Sequence, residues 1–158
     1  MANMHVFYEI TKHATAFPSN ILAAEGGAHM FSIELAEDCD NGAIVKAGAW
    51  KSLDLFEEAE ATEFEGTIVE KMANGNYLVL VEEPHDALFV YQVPVGAYEW
   101  TNEWKKESIL YNKAGDRVRA YGLVKYDRFE LSKEGFEGEP EVGKKINGIS
   151  AKKLVVEG

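Results

Sequence analysis

The sequence predicts a mainly β protein: a compact β-barrel or β-sandwich with one or two short helical turns and an irregular N-terminal arm. Three observations carry that expectation. Short apolar segments alternate with a period of two, the pattern of a half-buried strand. Turn signals interrupt them at Asp40-Asn41-Gly42, Asn74-Gly75-Asn76, Ala114-Gly115-Asp116 and Asn147-Gly148, where Asn, Asp and Gly tolerate the positive φ of a tight reversal. The segments, about nine at a spacing of about 10–12 residues, show no β–α alternation, which favours an all-β architecture.

In chain order, residues 5–10 (His5-Val6-Phe7-Tyr8-Glu9-Ile10) suit a first strand or an extended arm. Residues 11–27 have no period, and Pro18, Gly26 and Gly27 oppose regular structure, yet Phe17, Ile21 and Leu22 are apolar and need burial. The organisation expected is an N-terminal strand or arm over 1–27 and a single β domain over 28–158. From Ala28 the alternation settles: His29, Phe31, Ile33 and Leu35 share one face, Ser32 and Glu34 the other. Asp40-Asn41-Gly42 then turns the chain into a strand from Ala43 to Ala47, with a further short segment around Trp50.

The stretch 54–65 carries Asp54, Glu57, Glu58, Glu60, Glu63 and Glu65, which suits a solvated loop or a short helix over 55–61 capped by Asp54. Residues 66–72 and 76–81 form the clearest strand pair, joined through Ala73-Asn74-Gly75. Residues 77–81 and 88–91 are apolar on both faces, so a second face must be covered by the N-terminal arm, a helix or a partner chain. Residues 98–106 suggest a polar-aromatic helical turn begun by Thr101, and 108–111 with 117–123 suggest a hairpin. Residues 127–131 and 142–146 supply two more short strands around a helical turn in 132–138, and 150–156 closes the chain.

Composition bounds function. Hydrophobic residues at 46% and aromatics at 11% are globular values. The formal charge, 16 − 27 = −11, argues against nucleic acid or an anionic membrane as partner. Cys39 is the only cysteine, which excludes an intramolecular disulfide and a Cys-rich zinc site and fits a reducing cytoplasm. The start, Met1-Ala2-Asn3-Met4-His5, lacks the basic and apolar regions of a signal peptide, and no apolar stretch approaches about 18 residues.

No motif points to a cofactor, a metal or catalysis. His5, His13, His29 and His85 share no metal-ligand spacing. Asp38-Cys39-Asp40-Asn41-Gly42 departs from a calcium loop, with glycine one place early and Ala49 where the bidentate acid belongs. There is no Gly-x-Ser-x-Gly elbow and no Gly-rich phosphate cradle. The expectation is therefore a non-enzymatic protein. Trp50, Trp100 and Trp104 open an alternative, a glycan-binding β module stacking sugars on indoles, against the plainer reading of packed aromatics. Arg117 and Arg119 alternate on one strand of an acidic chain, either in cross-strand ion pairs or as a docking patch.

The order of these turns and strands resembles that of small β-rich structural proteins of tailed phages infecting Gram-positive hosts, of the head decoration (cement) type. The matching stretches are 31–48, with Glu37-Asp38-Cys39-Asp40-Asn41-Gly42-Ala43-Ile44-Val45-Lys46-Ala47-Gly48, and 66–81, with Ala73-Asn74-Gly75-Asn76-Tyr77. They continue through 107–123, with Tyr111-Asn112-Lys113-Ala114-Gly115-Asp116, and 129–145, with Phe136-Glu137-Gly138-Glu139-Pro140-Glu141. The resemblance implies a virion protein made in the host cytoplasm, binding the major capsid protein as a small homo-oligomer and stabilising the head shell. A tail or baseplate component is the alternative within the virion. It implies no catalytic residue. The contact residues expected are Phe17, Pro18, Ile21 and Leu22 of the arm together with Arg117 and Arg119.

Overall fold

The computed structural model describes residues 14, 16–23, 30–52, 55–60, 63–92 and 112–157. They form a closed five-stranded barrel and a seven-stranded sheet, and no helix among them is long and apolar enough to cross a membrane. The barrel takes the order β2 (Met30–Glu34), β4 (Leu55–Glu60), β3 (Ile44–Lys51), β7 (Leu88–Val90) and β8 (Arg117–Gly122). Its pairings are antiparallel except β2 with β4, and β8 closes onto β2. The sheet takes the order β1 (Ala16–Asn20), β9 (Arg128–Leu131), β6 (Tyr77–Glu83), β5 (Glu65–Lys71), β11 (Lys145–Ser150), β12 (Lys153–Val156) and β10 (Phe136–Glu137). A 3-10 turn, Lys133–Gly135, lies in the segment expected to be helical.

Two apolar clusters organise the described residues. The barrel interior holds Ile33, Leu35, Val45, Leu88, Val90, Val118 and Ala120. The space between barrel and sheet holds Ile44, Phe89 and Leu123 against Ile68, Val79, Val81, Phe129, Leu131 and Ile146. Alternation explains the division, since Val45 points into the barrel while Ile44 points out of it. Strand β7 is buried on both faces for the same reason: Leu88 and Val90 fill the barrel, and Phe89 meets Phe129 at 4.7 Å between ring centroids. The doubly apolar strand is therefore covered by the chain's own two layers, not by a partner.

Several expectations need correction. Residues 16–20, expected to be irregular, form strand β1 paired with β9, because Ala14, Ala16, Ile21 and Ala23 are buried in the inter-layer core. Pro18 is tolerated because β1 is an edge strand. The acidic stretch expected as helix or loop is strand β4 over Leu55–Glu60, held on both sides by β2 and β3. Its acids did not signal a strand because their partners are set by the fold: Glu58 meets Lys152 from the far end of the chain, and Glu57 meets Lys51 across the β3–β4 pair. Asn147-Gly148 is no reversal; Gly148 (φ 95) lies inside β11 where the register shifts, and the chain turns at Ala151-Lys152. The partners of β8 are β2 and β7. The expected strands at 5–10 and 108–111 and the helical turn at 98–106 lie outside the described residues.

The other turn signals hold. Ala43 N–H donates to the Asp40 carbonyl at 3.2 Å, closing the turn through Asn41-Gly42. Gly42 sits at φ 85, and a Cβ there would collide with Leu131 and Ala16, so conformation and packing both demand glycine. At Ala73-Asn74-Gly75 the Asn74 side chain accepts the Asn76 N–H at 3.0 Å, and Gly75 sits at φ 92.

Candidate functional site

The connection from β8 to β9 is a turn over residues 124–127 in which Asp127 N–H donates to the Val124 carbonyl at 3.1 Å. Its third residue, Tyr126, lies at φ 77, where glycine or asparagine is ordinarily found. A bulky residue in the left-handed region costs about 1–2 kcal/mol. Tyr126 nevertheless leaves 71% of its surface in solvent, so burial does not offset that cost. A strained and exposed aromatic is a candidate contact residue.

Asp127 builds the surroundings. The residue is 5% exposed, and its carboxylate accepts the Val124 N–H at 3.0 Å on one oxygen and the Leu22 N–H at 3.2 Å on the other. One buried acid thus ties the N-terminal segment to the β8–β9 turn. Leu22 and Val124 are exposed beside it, and the Lys125 ammonium stands 5.4 Å from the Tyr126 ring centroid. Tyr126 N–H donates to the Val81 carbonyl and Val81 N–H to the Asp127 carbonyl, which fixes the turn on β6. Val124 also borders a cleft of about 370 Å³ lined by Phe31, Leu88 and Leu123. The result is a group of exposed apolar and aromatic residues around one buried acid, with a basic neighbour. It can make contacts.

The arm residues expected to touch a partner divide. Leu22 is exposed and joins this surface, while Phe17 and Pro18 are half-buried in β1. Ile21 is fully buried in the chain's own core and cannot serve as a contact. Arg117 and Arg119 lie exposed on the barrel's outer wall, away from the Asp127 cluster in sequence. Trp50 is 58% exposed with its ring 4.9 Å from that of Phe56; Trp100 and Trp104 lie outside the described residues. His85 stands 3.3 Å from Glu63, and His5, His13 and His29 lie outside the described residues. Among the described residues no three potential ligands gather for a metal.

A second cleft, of about 280 Å³, is lined by Cys39, Asp40, Asn41 and Lys152. Its polar groups hold the fold together. Lys152 Nζ lies 3.0 Å from Glu58 and 3.2 Å from Glu37, and Glu58 also accepts the Ala36 N–H at 3.0 Å. Asn41 donates to the Gln92 carbonyl at 2.8 Å and accepts from Gln92 N–H and Asn112. Asp40 accepts the Ala14 N–H at 2.9 Å. Burial, reinforced by Glu58, pushes the Cys39 thiol up to about 12, so it is neutral and unreactive near neutral pH.

Sequence reasoning reached Leu22 through its apolar character but missed Tyr126 and Asp127. A tyrosine in the left-handed region leaves no signature, and Asp127 stood within a segment expected to be strand. No spacing rule marked it: Asp in a turn ordinarily bonds backbone two residues further on, whereas Asp127 reaches back three residues to the Val124 N–H. No protein-family model, curated protein or solved structure matches this chain.

Proposed function

We propose that this protein is a non-enzymatic contact module of a phage virion, a head decoration protein that binds the major capsid protein and stabilises the shell. The observation that carries the contact reading is the exposure of Tyr126, Leu22 and Val124 around a buried Asp127 that bonds the Leu22 and Val124 backbone. The left-handed turn serves the fold through its bonds to Val81, but the exposed tyrosine ring does not, and its use lies in docking. The polar groups of the Cys39 cleft already serve internal bonds. The assignment to a capsid rests on the resemblance of the turn-and-strand order to cement-type phage proteins.

The test is co-sedimentation with mature heads of the phage that encodes the chain. The wild-type protein should bind saturably and raise the heat resistance of the heads. Leu22→Ser and Tyr126→Ser, both at exposed sites, should fold normally and bind weakly. A gene placed within a metabolic operon, or heads that ignore the folded protein, would reject the proposal. Exposure of Trp50 favours the glycan-binding module as a second reading. It requires polysaccharide binding that Trp50→Ala abolishes and that Tyr126→Ser leaves intact.

A further inference from the structure

We propose that the outer wall of the barrel at Arg117 and Arg119 is a second docking surface, one that takes an extended protein segment carrying carboxylates at alternate positions. Both arginines are exposed on β8, two residues apart, while Val118 between them fills the barrel. In the β2–β8 register Arg117 stands opposite Glu34 and Arg119 opposite Ser32. The expected cross-strand ion pair is nevertheless not made. Glu34 is taken by Lys51 at 3.1 Å, and the same ammonium holds Glu57 at 3.3 Å. Neither guanidinium has an ion pair among the described residues, on a chain with 27 acidic residues against 16 basic ones.

The chemistry selects the occupant. A guanidinium presents a planar fork of donors that matches a carboxylate two bonds at a time. Side chains two apart on an extended segment are spaced about 6.6–6.8 Å, the same spacing as two arginines at i and i+2 of a strand. Both edges of β8 are already paired, by β2 on one side and by β7 with Tyr91 on the other, so recognition runs through side chains and not by strand addition. The net charge of −11 repels any anion at long range and repels one of higher charge more strongly, which favours a protein segment with a few spaced acids over a polyphosphate. Nothing in this inference depends on what the Tyr126 surface binds.

The test uses a short peptide with Glu at alternate positions, its Glu-to-Gln counterpart and a single-stranded oligonucleotide as probes. Binding is followed at low salt by the side-chain Nε–H resonances of the arginines in the intact protein. The Glu peptide should shift Arg117 and Arg119 saturably, weaken with salt, and lose about tenfold in affinity with each of Arg117→Gln and Arg119→Gln. Arg128→Gln, at an exposed arginine on β9, should leave the affinity unchanged. Equal binding of the Gln peptide, a tighter response to the oligonucleotide, or an equal loss with Arg128→Gln would overturn the proposal. So would concentration-dependent sedimentation abolished by the Arg117→Gln/Arg119→Gln double variant, which would make the occupant a second copy of this chain.

Discussion

Replacing Lys152 with methionine should destabilise the protein by about 3 kcal/mol, because it strands a buried carboxylate. The Glu58 side chain is 4% exposed and the Lys152 side chain 13% exposed, with 3.0 Å between the charged atoms. Removing one partner of such a pair costs about 3–5 kcal/mol, since the remaining charge stays out of water. The Ala36 N–H still donates to Glu58 at 3.0 Å, which places the value at the lower end. The second bond of Lys152, to Glu37, adds about 0–1 kcal/mol because Glu37 is 78% exposed. Methionine keeps the length of the side chain and does not change the left-handed backbone at φ 65, so strain is constant across the comparison. Urea unfolding should show the loss, with a fall in Tm of about 6–12 °C for a chain of this size. The Glu58→Gln/Lys152→Met double variant should recover part of it. A loss below about 1 kcal/mol, or strictly additive single variants, would refute the idea that this pair fastens the β11–β12 turn to the barrel.

Other outcomes follow from the same geometry. Stability should decline above about pH 9: the unfolded thiol ionises near 9.0 and the folded one near 12, so raising the pH through that window favours unfolding. Cys39→Ala should flatten this part of a pH–Tm profile. Lys152 acts in the same direction. Burial alone would lower its pKa, but the bonds to Glu58 and Glu37 outweigh burial and hold it above 10.5. Its ion pairs thus stabilise the fold below 10.5 and lose that contribution as pH rises through the raised folded value. Gly42→Ala should cost about 2–4 kcal/mol by chemical denaturation, from left-handed strain and from collision with Leu131 and Ala16. Phe89→Ala should cost about 3–5 kcal/mol, since its ring fills the space between barrel and sheet.

What the sequence could disclose depended on whether a residue's partner was local. The β5–β6 hairpin was legible because its alternation and its Asn74-Gly75 turn are contained in one short stretch. Strand β2 was legible from Phe31, Ile33 and Leu35. Strand β1 was hidden because Pro18 is a breaker everywhere except at an edge, and edge position is a property of the assembled sheet. Strand β4 was hidden by its acids, two of which are neutralised by Lys51 and Lys152 from other elements. Asn147-Gly148 shows the limit of turn signals: positive φ at Gly148 serves a register shift as readily as a reversal. In the candidate site, Leu22 was visible as an apolar residue without a period. Its separation from Ile21, one exposed and the other fully buried, came only with the core.

The central claim is that Tyr126 is held out for a partner at the expense of its own backbone, and Tyr126→Gly tests it most directly. Relief of left-handed strain, about 1–2 kcal/mol, is offset by the larger freedom of glycine in the unfolded chain, about 0.5–1 kcal/mol. Unfolding stability should therefore lie between that of wild type and about 1.5 kcal/mol above it, while binding to mature heads is lost. A variant that binds heads as tightly as the wild-type protein, or one that unfolds for want of the tyrosine, would contradict the account.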